Sequence, residues 1–373
     1  MSSASLRICD AMLPALTSEF ASSNKAVSAT ITAYAMAYGF FQLFGAAIGE
    51  RIGKVRMIAL TCTIAGLIST ATALASSLPA LVMLRAAAGI AFAGVIPLSI
   101  AVVGDLVPYE RRQGTLGRFL LGSILGVILG QFLGGAITEA LGWRYAFMII
   151  GIGAILAGGV LIAQSRHVTL PHHDPTLATA SFFSNLAAVV RSPWARLILA
   201  VAVVEGFLVF GSFAYVPLNL HNSLGMSMTA SSIVGLCFGL GAMSYAFLAM
   251  HAARRLGERL IVMGGSGLLA LSFFLLMLHL GAAWAFVACY FVGLGFYMLH
   301  GTLQTHASQM HPTARGPAVA LFALVLFAGQ SLGAASGAWL IEFAGFYWLF
   351  GIASLGLLAL GLQFASALGR HKV

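Results

Sequence analysis

Eleven apolar runs, each near the length that carries a helix across a bilayer, follow one another along the chain: 27–48, 57–75, 79–103, 114–140, 145–164, 194–218, 229–251, 260–280, 282–303, 317–341 and 346–367. Charged residues or Pro and Gly close each run. A hydrocarbon core of about 30 Å takes roughly 20 helical residues, and lipid offers no partner for an unpaired backbone group, so the pattern demands a bundle of spanning helices. A twelfth run at 3–17 gives about 22 Å of helix and reads as a truncated first span. With only 8% of the 373 residues charged, there is no room for a sizeable soluble domain. Arg7 and Asp10 interrupt the apolar part of the amino terminus, which is unlike a cleavable signal core.

The basic residues give the orientation. Over alternate loops from the second span onward, fifteen of the nineteen fall on one side: Arg51, Lys54, Arg56, Arg111, Arg112, Arg118, Arg166, Arg191, Arg196, Arg254, Arg255, Arg259, Arg315, Arg370 and Lys372. Lys25 and Arg144 fall on the other side, and Arg7 and Arg85 lie within spans. Lys and Arg collect in cytoplasmic loops, so both chain ends are expected in the cytoplasm. The net charge of +9 is therefore a topology signal, and no nucleic-acid partner is expected. Cys9, Cys62, Cys237 and Cys289 all fall in apolar stretches without ligand spacing and read as buried small hydrophobes.

The longest connection divides the chain into a first half at 1–164, a linker at 165–193 and a second half at 194–373. An internal repeat supports this division. Gly126, Gly130, Gly134, Glu139, Gly142 and Phe147 recur at a constant offset of 203 as Gly329, Gly333, Gly337, Glu342, Gly345 and Phe350. Arg112 maps onto Arg315 and Pro14 onto Pro217 in the same register. Two parallel six-helix halves are a transporter architecture. The repeat places the counterpart of Trp194 about nine residues before Met1, so the physiological start is expected upstream.

Particular motifs carry a family resemblance across essentially the whole chain. The loop after the second span reads Ala46-Ala-Ile-Gly-Glu50-Arg51-Ile-Gly53-Lys54-Val-Arg56. The fourth span carries Arg85 and Gly89 and ends in Asp105-x-x-Pro108-x-Glu110-Arg111-Arg112. The fifth carries Gly126-x3-Gly130-Gln131-x2-Gly134-Gly135, followed by Trp143-Arg144, and Pro312-x-x-Arg315-Gly316 precedes the eleventh. Together they resemble the major facilitator superfamily, in particular its bacterial drug and sugar exporters. Ala46 stands for a Gly of the signature, Glu50 for an Asp and Gln131 for a Pro, while the second-half copy at 254–259 has Arg where the acid belongs. The resemblance implies that Glu50, Arg51, Gly53, Asp105 and Arg112 latch the cytoplasmic gate in the outward-open state. The glycines Gly126, Gly130, Gly134, Gly329, Gly333 and Gly337 permit either an antiporter-specific role or close helix packing, and the second copy favours packing.

Ionisable residues deep in a membrane are costly and must face protein or water. Here they are Arg7 and Asp10 in the first span, Arg85 in the fourth, Glu205 in the seventh and His300 in the tenth. The resemblance implies that these four helices line the transport path. Asp10 and Arg85 lie at matching depth, seven residues from the same membrane surface, and are expected to pair, with Arg7 competing for Asp10. Glu205 has no basic residue within a helical turn, which suits reversible protonation. Tyr297, His300 and Gln304 share one face of the tenth span as a polar stripe for substrate. Phe207, Phe210 and Tyr215, with Tyr34, Tyr38 and Phe41, read either as an aromatic lining or as ordinary packing.

The expected protein is thus an all-α polytopic transporter of a bacterial-type inner (plasma) membrane, working by alternating access and exporting a small organic solute, drug-like or sugar-like, in exchange for protons. Asp10 and Glu205 are the expected proton carriers, and Arg85 is expected to tune the proton affinity of Asp10. Proton-coupled uptake or facilitated diffusion is the alternative. A membrane enzyme or receptor is more remote, since no span offers a Ser/His/Asp set or an HExxH motif. No cofactor is expected, nor a metal at His167, His172, His173 and Asp174, and no P-loop supports ATP-driven transport. The expected partners are the solute, protons and lipid, and the expected state is a monomer.

Overall fold

The computed structural model describes residues 1–165, 186–310 and 315–370; the histidine-bearing stretch with His167, His172, His173 and Asp174 lies outside them. Among the described residues twelve helical elements follow one another, besides a short helix at 186–191. The first six are α1 (Ser2–Arg7 and Leu13–Glu19), α2 (Asn24–Ile52), α3 (Lys54–Thr72), α4 (Leu78–Phe92 and Val95–Leu106), α5 (Tyr109–Leu141) and α6 (Trp143–Ser165). Then come α7 (Pro193–Leu224), α8 (Met228–Leu248), α9 (Arg255–Met277), α10 (Ala282–Ser308), α11 (Arg315–Ala344) and α12 (Phe346–Arg370). Among the described residues ten helices, α3 to α12, are long and apolar enough to cross a membrane.

Three elements are broken where the sequence reading has continuous spans, and proline accounts for each break. A proline ring clashes with the carbonyl four residues earlier and offers no N–H, so the helix opens just ahead of it. Pro14 opens α1 over residues 8–12, Pro97 opens α4 at Ala93 and Gly94, and Pro217 opens α7 at Ala214 and Tyr215. Within α7 a wide π turn runs over Gly206–Phe210, immediately after Glu205. Single π turns of this kind are frequent at functional positions.

Glycine sets the packing within each half. Any side chain at Gly130 or Gly134 of α5 would run into the carbonyls of Ala4 or Ile8 of α1. Likewise Gly329 and Gly333 of α11 sit against the carbonyls of Val203 and Phe207 of α7. Gly126 faces Ser3, and Gly337 faces the Tyr215 ring. Backbones can approach this closely in a membrane only where side chains are small, and the contact holds the broken helices α1 and α7 on rigid supports.

The two six-helix halves meet along two seams, α2 against α11 and α5 against α8. We call the end where α2 meets α3 and α4 meets α5 the basic end, and the opposite one the far end. Along one seam Ser232 donates to the Phe132 carbonyl at 3.2 Å, Gly235 lies against Gln131, and Gly239 lies against Ile128. Along the other, Ser331 donates to the Thr32 carbonyl at 2.8 Å and Phe327 packs edge-on against Tyr38. These contacts occupy the middle and the far half of each seam.

Candidate functional site

In the first half one buried pair is held within a single helix. Arg7 Nη1 donates to Asp10 Oδ2 at 3.1 Å, an i, i+3 pair on either side of the point where α1 opens, and both side chains are buried. Arg85 does not pair with Asp10, contrary to the depth argument. Its guanidinium donates to Ser5 Oγ at 3.1 Å, to the Ser5 carbonyl at 2.9 Å and to the Thr30 carbonyl at 3.4 Å. It also lies 4.1 Å over the Tyr34 ring. α4 lies beside α1, but what α1 presents to Arg85 is the Ser5 carbonyl ahead of its opened stretch, and a planar guanidinium takes it.

The second half differs. Glu205, placed at the brink of the π turn, is fully buried, and its Oε2 lies 2.9 Å from His300 Nδ1 of α10. The carboxylate that the sequence left without a basic neighbour therefore has one from another helix. Periodicity along α7 contains no information about α10. Among the described residues Glu205 Oε1 is buried without a hydrogen-bond partner in the protein, as is Asp10 Oδ1.

Aromatic rings enclose the Glu205–His300 pair. The imidazole stacks on Phe296 at 4.7 Å, with Phe322 of α11 at 5.5 Å. Phe210 meets Phe296 edge-on at 4.8 Å, and Phe238 of α8 meets Phe213 at 4.9 Å. Apolar surroundings of this kind strengthen any charge interaction inside them. The Arg7 guanidinium lies 4.3 Å over the Phe210 ring and so joins the two halves at their centre. Arg7 and Phe210 are themselves separated by the repeat offset of 203, a clue that was available in the sequence. Phe238, Phe296 and Phe322 carried no such signal, being three of 26 phenylalanines.

Of the remaining expected site residues, Tyr297 packs against Phe296 and Phe238, and Gln304 is exposed one turn beyond His300. Tyr215 donates to the Ala334 carbonyl, Phe207 carries the carbonyl that covers Gly333, and Phe41 is exposed. At the basic end Gly53 has φ +97°, a conformation that favours glycine. Lys54 Nζ donates to Asp105 Oδ2 at 2.7 Å, and Arg112 donates to the Gly104 carbonyl at 2.6 Å. These contacts tie α3, α4 and α5 to one another within the first half. The side chains of Glu50 and Arg51 lie outside the described residues. In the second half, at the same end, Glu258 Oε2 lies 3.0 Å from His306 Nε2.

At the far end Glu19 receives the Trp143 indole N–H at 2.6 Å and the Arg144 guanidinium. Partial burial pushes the Glu19 carboxyl up, but these two donors outweigh it and hold the group below the ordinary carboxylate value. Among the described residues no cluster of His, Cys, Asp or Glu offers a metal site.

Comparison with known proteins places this geometry. The family described as Major Facilitator Superfamily matches residues 1–316. A Helicobacter pylori protein named "Probable sugar efflux transporter" is 28% identical over 93% of this chain and 88% of its own length. The MFS-type transporter FPY5 of Fusarium mangiferae is 31% identical over 45% of this chain, which matches 27% of that longer protein. The crystal structure of a D-xylose-proton symporter superposes with a TM-score of 0.70 at 18% identity, covering 96% of this chain and 94% of that one.

Proposed function

This chain belongs to the Major Facilitator Superfamily, and from that premise we propose that it exports a small organic solute in exchange for protons, by alternating access around the Glu205–His300 pair. The observation that carries the reading is the 2.9 Å contact between a fully buried carboxylate and an imidazole on different helices. Such a pair is neutral when it holds one proton, the Glu205 carboxyl donating to a neutral His300 imidazole. It gains a full negative charge when the proton leaves, inside an aromatic wall where an uncompensated charge is costly. A solute hydroxyl or amine that donates to Glu205 Oε1 would compensate that charge. Proton and solute then compete for one group, and this competition is what exchange requires.

Sugar-like solutes are the first class to test, because the Helicobacter pylori relative so named aligns over 93% of this chain. Hydroxyl donors for Glu205 and an aromatic wall for a ring face suit that class. Arg7, Asp10 and Tyr297 complete the site, and Gln304 stands at its entrance from the basic end. The basic end is cytoplasmic in this reading, by the fifteen Lys and Arg it collects. Both chain ends then lie inside a bacterial-type inner membrane, and the protein acts as a monomer.

The test uses reconstituted vesicles with pH gradients of either sign and a panel of labelled sugars and cationic drugs. An acidic lumen should drive accumulation of one class of solute, and Glu205→Gln should abolish the gradient dependence. Accumulation driven by an acidic exterior would identify uptake instead. Equilibration without accumulation under both gradients would identify facilitated diffusion. Either outcome overturns the exchange.

A further inference from the structure

Glu139 and Glu342 are the one acidic pair in the 203-residue repeat, and neither takes part in the central site. Each stands near the carboxyl end of its helix at the far end of the molecule, Glu139 on α5 and Glu342 on α11. Glu139 Oε2 accepts the backbone N–H of Thr229 at 2.6 Å, and Glu342 Oε1 accepts that of Lys25 at 2.9 Å. Thr229 and Lys25 belong to α8 and α2, so each carboxylate reaches into the opposite half.

The two receiving sites have the same construction. A helix leaves its first four N–H groups without partners, and α2 and α8 divide theirs in one way. In α2 the Ser23 side chain caps the third residue, accepting from Ala26 at 3.2 Å, and Glu342 takes the second, Lys25. In α8 Ser227 caps the third residue, accepting from Ala230 at 3.1 Å, and Glu139 takes the second, Thr229. Half of each helix cap is therefore supplied by the other half of the molecule. A carboxylate also meets the positive end of the helix dipole here, and the gain is lost when the helix end moves away.

We propose that Glu139 and Glu342 are two copies of one clamp that closes the far end, and that both must release for that end to open during transport. The proposal rests on alternating access as read above. It goes beyond that reading by naming the residues that set the balance between the two orientations. The tie common to both copies is to main chain; at Glu139 the Thr229 side chain adds to it. The seam hydrogen bonds Ser232 to Phe132 and Ser331 to Thr32 lie deeper, so the clamps are the outermost ties described on both seams.

The experiment measures nitroxide distances by double electron–electron resonance in lipid nanodiscs, with labels at L74C and L280C in a Cys237→Ala background. Leu74 and Leu280 are exposed, follow α3 and α9 at the far end, and lie in different halves. The dominant wild-type distance should be the short one. Glu139→Ala and Glu342→Ala should each raise the long-distance population about threefold, and the double variant about tenfold. Glu139→Gln with Glu342→Gln, which keeps an acceptor but removes the charge, should shift the same way by less and guards against misfolding of the alanine variants.

Gly135→Leu supplies the control. Any side chain there strikes the Met228 carbonyl and Ser232, so it wedges the α5–α8 seam open regardless of the clamps. If the wedge lengthens the distance and the double clamp variants do not, the clamp is overturned while alternating access stands. If the wedge also leaves the distance unchanged, alternating access itself fails. Strongly unequal single variants would contradict two copies of one device.

Discussion

The two halves share a fold and an internal repeat, yet they hold their buried charges in opposite ways. In the first half Arg7 and Asp10 pair within one helix, and the guanidinium of Arg85 is engaged by Ser5, Thr30 and Tyr34 of neighbouring helices in that half. The Arg7–Asp10 pair, made within one helix, survives any shift of that helix against its neighbours. In the second half Glu205 and His300 come from different helices, one of them interrupted beside the carboxylate by a π turn. A contact divided between two elements can be made and broken by a local shift or by a proton. In the proposed exchange this difference makes the first half the frame and the second half the switch.

The sharpest way to break this comparison is to exchange the acid in each half. Glu205→Gln should lower pH-driven flux in vesicles on the order of a hundredfold, the scale of losing a positioned proton-transfer group. If Asp10→Asn did the same, the division of labour would be wrong. Arg85→Ala is expected next in size, as a loss of stability of about 3 kcal/mol or more, because carbonyl and hydroxyl partners are left buried. Arg85→Lys should recover little of it, since an ammonium cannot reproduce the planar fork. Thermal melting in detergent checks both, and the surviving protein should keep its gradient dependence.

Asp10→Asn should cost about 1–3 kcal/mol, by leaving the Arg7 charge against a neutral amide, while flux still follows the pH gradient. The smallest effect belongs to the far-end tie of Glu19 with Trp143 and Arg144. It is partly exposed, so Glu19→Gln should cost only about 0.5 kcal/mol. The folded-state value of Glu19 is below the ordinary 4.5. Its contribution is therefore complete above about pH 5 and disappears as the pH falls through the lowered value. Melting curves of wild type and variant should differ at neutral pH and converge in acid.

The spans, the two halves and the family were legible because they depend on patterns that run along the chain: apolar length, a repeat offset and short motifs. The breaks in α1, α4 and α7 were also written in Pro14, Pro97 and Pro217, but an apolar run conceals a proline from a length argument. The site was legible only as a set of residues. Arg7, Asp10, Arg85, Glu205 and His300 stood out because charge is costly in lipid. Their pairing did not, because two partners 95 residues apart meet through helix packing that no local pattern records. Arg85 was matched to the wrong partner for a related reason: depth was available, but the position of the Ser5 carbonyl ahead of the opened stretch of α1 was not.

Infrared difference spectroscopy between acidic and alkaline pH, on the unliganded protein in lipid, tests the assignment of the switch most directly. A protonated buried glutamic acid has a carboxyl band distinct from that of exposed carboxylates. The account predicts one such band in the acid-minus-alkaline spectrum that Glu205→Gln removes, that His300→Ala moves, and that Asp10→Asn leaves in place. A spectrum that Glu205→Gln does not change, or a band that disappears with Asp10→Asn instead, would contradict it.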